Sequence, residues 1–270
     1  MGDPRLHLDG ERVSASLLPE RGTHGGYSLV IEGTTQSHVN PLDPRDLQLE
    51  YTRLVAAVID GCGEPGDPIR ILHLGAGALT IPRYVAATRP GSVQHVVELH
   101  RELFDFVIDA LPLDDDVELT VEFDDGRVAV ERAARTGGGY DVAVVDVFSG
   151  AVSPRHLSTA EFFAALDQLL APDGVVVVNT LATSGLDMSR EVTATLGARY
   201  ADVLALASPS VVDGTSLGNV VIAASSQRLA DDRILRSADT GPRPIRLLRD
   251  DALAAFVGDA PVRHDDDPAD

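Results

Sequence analysis

Four places in the chain set small or acidic residues at the end of an apolar run. They are Gly75-Ala76-Gly77, Glu98-Leu99, Asp125-Gly126 and Asp146. The first closes ILHLG and opens a helical pattern in the stretch ILHLGAGALTIPRYV, Ile71 to Val85. Glycines there let the backbone approach a ligand, and an acid ending the next strand can accept hydrogen bonds from ribose hydroxyls. In an open parallel sheet, ligands lie beyond the carboxyl ends of the strands. Four strands would thus deliver their groups to one rim, which suits a nucleoside. Each group alone has a plainer reading, because acids after strands often cap helices and Asp-Gly pairs often form turns. A nicotinamide dinucleotide fits less well. Its fingerprint wants a third glycine where Thr80 stands, and it leaves Asp125 and Asp146 without a task.

The elements that must position these residues follow from periodicity. Strands are expected at IRILHLG, VQHVVEL, Val117 to Phe123, YDVAVVD and GVVVVNT, with ADVLALAS and NVVIAASS as a final pair. Helices are expected at Leu79 to Thr88, Arg101 to Ala110, Arg127 to Arg135, Thr159 to Leu170 and Gly185 to Ala198. Val- and Ile-rich runs suit strands buried on both faces. Before them, LQLEYTRLVAAVID has helical spacing, with Leu47, Tyr51, Leu54, Val55 and Val58 on one face. Arg5 to Gln36 reads as short strands and turns. The expected division is a β appendage over 1–40, a helix and linker over 41–68, a nucleotide-binding domain over 69–228 and an extension over 229–270. After Gln227 the pattern weakens, and HDDDPAD reads as a frayed acidic tail. His73 and His95 fall inside strands and read as core histidines, whereas His100 and His156 lie near the rim.

Composition narrows the function. The 270 residues carry a formal net charge of −20, and the chain has no lysine: every basic side chain except histidine is arginine. Such a surface repels phosphate backbones, so no nucleic-acid partner is expected. No apolar run is long enough to span a bilayer, so no membrane partner is expected, and MGDPRLHLDG lacks a signal-like pattern. A lone Cys62 allows no internal disulfide and no cysteine-based metal site. The expected location is cytoplasmic.

From Tyr27 to about Ser226 the chain resembles the spermidine synthase (polyamine aminopropyltransferase) family. LGAGALTIPR, through Arg83, resembles that family's glycine loop. VELH at Glu98 resembles its ribose-binding strand end, and Asp125-Gly126 its adenine-binding pair. YDVAVVD, ending at Asp146, resembles its fourth strand, and Leu157, Thr159, Glu161, Phe162 and Phe163 follow in its register. EGTTQ places Gln36 at the end of the family's N-terminal segment. The resemblance implies an α/β, Rossmann-like S-adenosylmethionine-dependent methyltransferase fold: a mostly parallel seven-stranded sheet with helices on both faces and a small N-terminal β appendage. It implies S-adenosylmethionine or its decarboxylated form as co-substrate, no metal, a polyamine or other small amine acceptor, and a homodimer. Gln36, Gly75, Ala76, Gly77, Ala78, Glu98, Leu99, Asp125, Gly126 and Asp146 are its nucleotide-binding positions.

The departures bear on the reaction. The family's catalytic aspartate, three residues after the strand-end acid, is Ser149 here, and the aspartate inside the glycine loop is Ala78. Aminopropyl transfer needs a base to take a proton from an ammonium. A serine hydroxyl cannot do this unaided at neutral pH, and loss of such a base costs on the order of 10²–10⁴ in rate. Asp146, Ser149, His156 and Tyr51 are the candidate catalytic positions, with His156 the substitute base and Tyr51 aligned to the family's acceptor site. Ala78 also removes a charge that would repel the carboxylate of intact S-adenosylmethionine. Three functions stay open: a spermidine synthase-like transferase with another acceptor, a catalytically silent nucleotide-binding protein, and a true polyamine aminopropyltransferase with a relocated base.

Overall fold

The computed structural model describes residues 5–8, 10–148, 153–182, 185–239, 241 and 243–267. The chain opens with four strands, β1 (Arg5–Leu8), β2 (Glu11–Pro19), β3 (Tyr27–Ile31) and β4 (Thr34–Val39), paired in that order into one antiparallel sheet. Helix α1 (Glu50–Gly61) follows. Alternation then begins: β5 (Arg70–Leu74), α2 (Thr80–Thr88), β6 (Val93–Glu98), α3 (Arg101–Ala110), β7 (Leu119–Phe123), α4 (Gly126–Ala133), β8 (Tyr140–Val145), a 3₁₀ turn (Arg155–Leu157), α5 (Ala160–Asp167) and β9 (Leu170–Ala182). The chain continues as α6 (Asp187–Gly197), β10 (Asp202–Ala207), α7 (Pro209–Val212), β11 (Gly218–Ser225), α8 (Asp231–Ala238), β12 (Arg246–Leu248) and α9 (Asp250–Val257).

The main sheet has the order β12-β10-β11-β9-β8-β5-β6-β7. Strands β5 to β9 pair in parallel, while β11, β10 and β12 pair antiparallel. Among the described residues the sheet is therefore mixed and eight-stranded, which corrects the expectation of a mostly parallel seven-stranded sheet. The missed strand, β12, is three residues long, too short to show a period of two.

Strand alternation sorts the core into two layers. Leu72, Leu74, Ala143, Val145, Val176 and Val178 face Phe162, Phe163 and Leu166 of α5 and Val192 and Leu196 of α6. Their neighbours Ile71, Val142, Val144, Val175 and Val177 face Val55 and Val58 of α1, Val85 of α2 and Ile234 of α8. The N-terminal sheet joins through a third layer, in which Leu6, Leu8, Leu29 and Val39 pack with Leu103 and Val107 of α3.

The C-terminal end also departs from expectation. His264 to Asp267 are not frayed: they dock through ion pairs onto Arg127, Arg155 and Glu161. Local pattern cannot show this, because all three partners lie more than 100 residues away. No helix among the described residues is long and apolar enough to cross a membrane.

Candidate functional site

Strand order reverses between β5 and β8, so the crevice beyond their carboxyl ends is the switch point of the sheet. The strand tips there are tied together: Gly75 N donates to Val97 O (2.9 Å), Asp146 N to Leu74 O (3.0 Å) and Asp124 N to Glu98 O (3.2 Å). Gly75 has φ +92°, and a Cβ there would lie 2.4 Å from Asp146 O. Only glycine lets the two chain segments come this close. Leu79, at the start of α2, also holds the left-handed region at φ 59° and is fully buried. That strain in a bulky residue is held by its packing.

Glu98 latches the loop. Its Oε2 accepts from Ala76 N and its Oε1 from His100 N, both at 2.8 Å, and the side chain is buried. Each carboxylate oxygen keeps a second lone pair for another donor. Leu99 beside it is 53% exposed. Asp125 caps α4: Oδ1 accepts from Arg127 N (2.9 Å) and Val128 N (3.1 Å). Its Oδ2 meets His156 Nε2 at 2.8 Å. Burial alone would raise its pKa, but the bonds from His156 and the two amides prevail and hold it below the ordinary value. Gly126 follows as the first residue of α4.

Beside the glycine loop lies a small cavity of about 30 Å³. Gly75, Ala76, Gly77, Tyr51, Thr52, Ser37, His73 and Asp146 are among its lining residues. Burial raises the Asp146 carboxyl to about 6, against the opposing hydrogen bond from Asn179. Asn179 Nδ2 donates to Asp146 Oδ1 (2.8 Å), and Asn219 Nδ2 donates to Asn179 Oδ1 (3.0 Å). Tyr51 is pushed well above its ordinary pKa by burial and then by the nearby Asp146 charge, so its phenol stays protonated. His73 is pushed down to about 4 by burial and pairs with Gln94 (Nε2 to Oε1, 3.0 Å), so its imidazole is neutral at pH 7.

Thus the structure gathers Gly75, Ala76, Gly77, Tyr51 and Asp146 around one cavity, with Glu98 latched to the loop and Asp125 joined to His156. Other positions fall elsewhere. Ala78 is fully buried in the layer beneath the N-terminal sheet, where its methyl is a packing contact. Gln36 is not a lining residue of the cavity; its neighbour Ser37 is, as strand alternation dictates for adjacent residues. Ser149 lies outside the described residues. Sequence reasoning missed Ser37, Thr52, Asn179 and Asn219. Asn179 carried a signal, being the polar end of the apolar run GVVVVNT.

A wider cleft of about 600 Å³ opens at the other end of the sheet, beside Ile69, Asp141 and Val175. It lies by the amino ends of β5, β8 and β9, not where open parallel sheets hold ligands. Its buried cation, Arg89, is already spent on the carbonyls of Ile59, Cys62, Glu64 and Asp67. Among the described residues, no three His, Cys, Asp or Glu side chains converge as a metal site.

No family model matches the chain. It is 33% identical over 144 residues to a polyamine aminopropyltransferase from Vibrio vulnificus, a match taking in 53% of this chain and 48% of that one. The chain spans about half the length, or less, of the curated relatives it matches. A probable spermidine synthase from Corynebacterium glutamicum superposes with a TM-score of 0.85 at 27% identity, covering 99% of this chain and 98% of that one. Human methyltransferase-like protein 13, solved with SAH, shares the fold at a TM-score of 0.58 and 19% identity, covering 77% of this chain and 92% of that one. The near-complete superposition on the Corynebacterium protein and the match to the Vibrio enzyme show that this chain is similar to spermidine synthases and has the α/β methyltransferase-type fold.

Proposed function

We propose that the chain is a transferase that binds an S-adenosylmethionine-type nucleotide along the tips of β5 to β8 and transfers a group beside Asp146. One observation carries the reading: Asp146, Tyr51 and the glycine loop share a single cavity at the switch point. Gly75, Ala76 and Gly77 admit the donor's tail. Glu98 accepts from the ribose hydroxyls with its remaining lone pairs. Asp125 and Gly126 face the adenine, with exposed Leu99 at its edge. The SAH in a solved neighbour of this fold agrees with such a ligand.

Charge counting selects the donor and narrows the acceptor. Decarboxylated S-adenosylmethionine carries a sulfonium and an ammonium, and a polyamine adds further cations. Among the described residues lining the cavity, Asp146 is the only carboxylate. The sequence from Val147 to Ala160 adds no acid. A buried cation without a counter-charge is costly. Intact S-adenosylmethionine brings its own carboxylate, and the start of a helix such as α2 suits an anion. The donor in this reading is therefore the intact form, and the acceptor is a small molecule with at most one cation.

In the transfer step the acceptor's nucleophile attacks a carbon bonded to the sulfonium. The carbon–sulfur bond breaks, its electron pair returns to sulfur, and a neutral thioether leaves. The nucleophile's proton passes to the Asp146 carboxylate, whose value near 6 suits a general base at neutral pH. The protonated Tyr51 phenol beside it donates rather than accepts. His156 is engaged by Asp125 and serves the adenine rim.

A second reading, nucleotide binding without turnover, draws on the inward use of both Glu98 oxygens and both Asp125 oxygens. Calorimetric titration with S-adenosylmethionine, its decarboxylated form and methylthioadenosine tests the ligand. Incubation with methyl- and aminopropyl-labelled donors and a panel of amines tests the transfer. Tighter binding of the intact donor and movement of its methyl label are expected. Tighter binding of the decarboxylated donor with aminopropyl transfer to a polyamine would refute the proposal, and binding with no label moved would establish the second reading.

A further inference from the structure

The C-terminal segment after α9 returns across the ligand side of the sheet. Arg263 is buried and pairs with Glu191 of α6 (2.6 Å), and its carbonyl accepts from Ala160 N (2.9 Å). The next residues reach the helix starts that face the rim. His264 Nδ1 meets Glu161 Oε1 at 2.9 Å, and Asp265 N donates to Glu161 Oε2 at 3.1 Å. Asp265 receives both terminal nitrogens of Arg127 at 2.6 Å and the Thr159 hydroxyl at 2.7 Å. Asp267 receives Arg155 Nη2 at 2.8 Å and His264 N at 2.7 Å.

These contacts converge on the nucleotide rim. Arg127 is the second residue of α4, and its amide is one of the two that Asp125 caps. Its guanidinium also donates to His156 O (3.2 Å), and His156 is the partner of Asp125 Oδ2. Arg155 opens the 3₁₀ turn that contains His156. Asp265 and Asp267 therefore grip the two residues that flank the Asp125–His156 pair. An isolated exposed ion pair contributes little. A bidentate arginine–carboxylate pair joined to a hydroxyl and a second pair is geometrically specific.

We propose that His264 to Asp267 form a strap that positions the adenine-facing rim, with Asp265 and Asp267 as positioning residues acting through Arg127 and Arg155. The proposal rests on the reading that this rim holds the nucleotide. It gives a task to an acidic segment that composition alone would leave in solvent.

The test uses the full chain and the variants Asp265→Asn and Asp265→Glu. Methylthioadenosine affinity is measured by calorimetry, and amide hydrogen exchange is followed over residues 124–134 and 153–160 without ligand. Asp265→Asn is expected to weaken affinity roughly tenfold or more, the scale of a lost charge-assisted bond. Exchange in both segments should rise, and Asp265→Glu should restore part of each. Unchanged exchange in Asp265→Asn would overturn the strap. Faster exchange with unchanged affinity would overturn its positioning role and leave a purely structural contact. If the unaltered chain binds no methylthioadenosine, the nucleotide reading itself fails and the positioning role fails with it, whereas the variants alone decide the strap when it does bind.

Discussion

Asp146 is the residue on which the proposed transfer depends most. It ends β8, lines the cavity and is held by Asn179. Burial raises its carboxyl to about 6 from 3.8, so the native state keeps a proton that the unfolded chain releases near pH 4. The stability from that protonated form is complete below about pH 4 and is lost as pH rises through about 6. Asp146→Asn keeps the Oδ1 acceptor for Asn179 and carries no charge. We expect it to be more stable than the native chain at pH 8, by on the order of 2–3 kcal/mol, with the difference closing towards pH 4. Urea unfolding at both pH values checks this, and a less stable variant at pH 8 would contradict it. The same variant should lose group transfer. That Asp146 stands just past a strand end on the sheet's carboxyl side was legible from its place after an apolar run. Its raised pKa was not, because burial causes it, and burial depends on how elements distant in the chain pack around the carboxyl.

At the scale of elements, the strand–loop–helix unit from β5 to α2 depends on two contacts. Gly75 leaves no room for a Cβ against Asp146 O, and it holds a positive φ. Gly75→Ala should cost roughly 2–5 kcal/mol, combining backbone strain with overpacking. Glu98 holds the loop through Ala76 N and the next helix through His100 N. Glu98→Gln turns one acceptor into a donor facing an amide. It should cost about 1–3 kcal/mol and abolish nucleotide binding. Chemical denaturation and calorimetry on the two variants separate loop fit from ligand contact. The glycine loop was readable because its types and spacing are local. The latch was not, because a strand-end acid reads equally as a helix cap until its partner is seen. Asp125 shows the point: it caps α4 and also pairs with His156.

Across the whole molecule, charge is the dominant global property. With a net charge of −20, self-repulsion opposes the compact state. Raising salt shortens the Debye length from about 30 Å at 0.01 M to about 8 Å at 0.15 M. The repulsion should weaken more than the exposed ion pairs, which contribute about 0–1 kcal/mol each. The thermal midpoint is therefore expected to rise over that range in a scan at fixed pH. A falling midpoint would show that surface pairs outweigh net repulsion. The strap is one place where acids are not spare charge: Asp265 and Asp267 neutralise arginines beside the rim.

Properties carried by neighbouring residues were determined by the sequence itself. Apolar alternation marked β5, β6, β8 and β9, and the helical spacing of RELFDFVIDA matched α3 from end to end. Those patterns alone brought the glycine loop and three acids to one sheet edge. Tertiary structure decided what depends on distant partners: the antiparallel side with the three-residue β12, the burial of Ala78 under the N-terminal sheet, and the docking of His264 to Asp267. The physical reason is that periodicity records only which face of an element meets the core. Ion pairs, latches and shared cavities form between residues whose separation along the chain carries no signal.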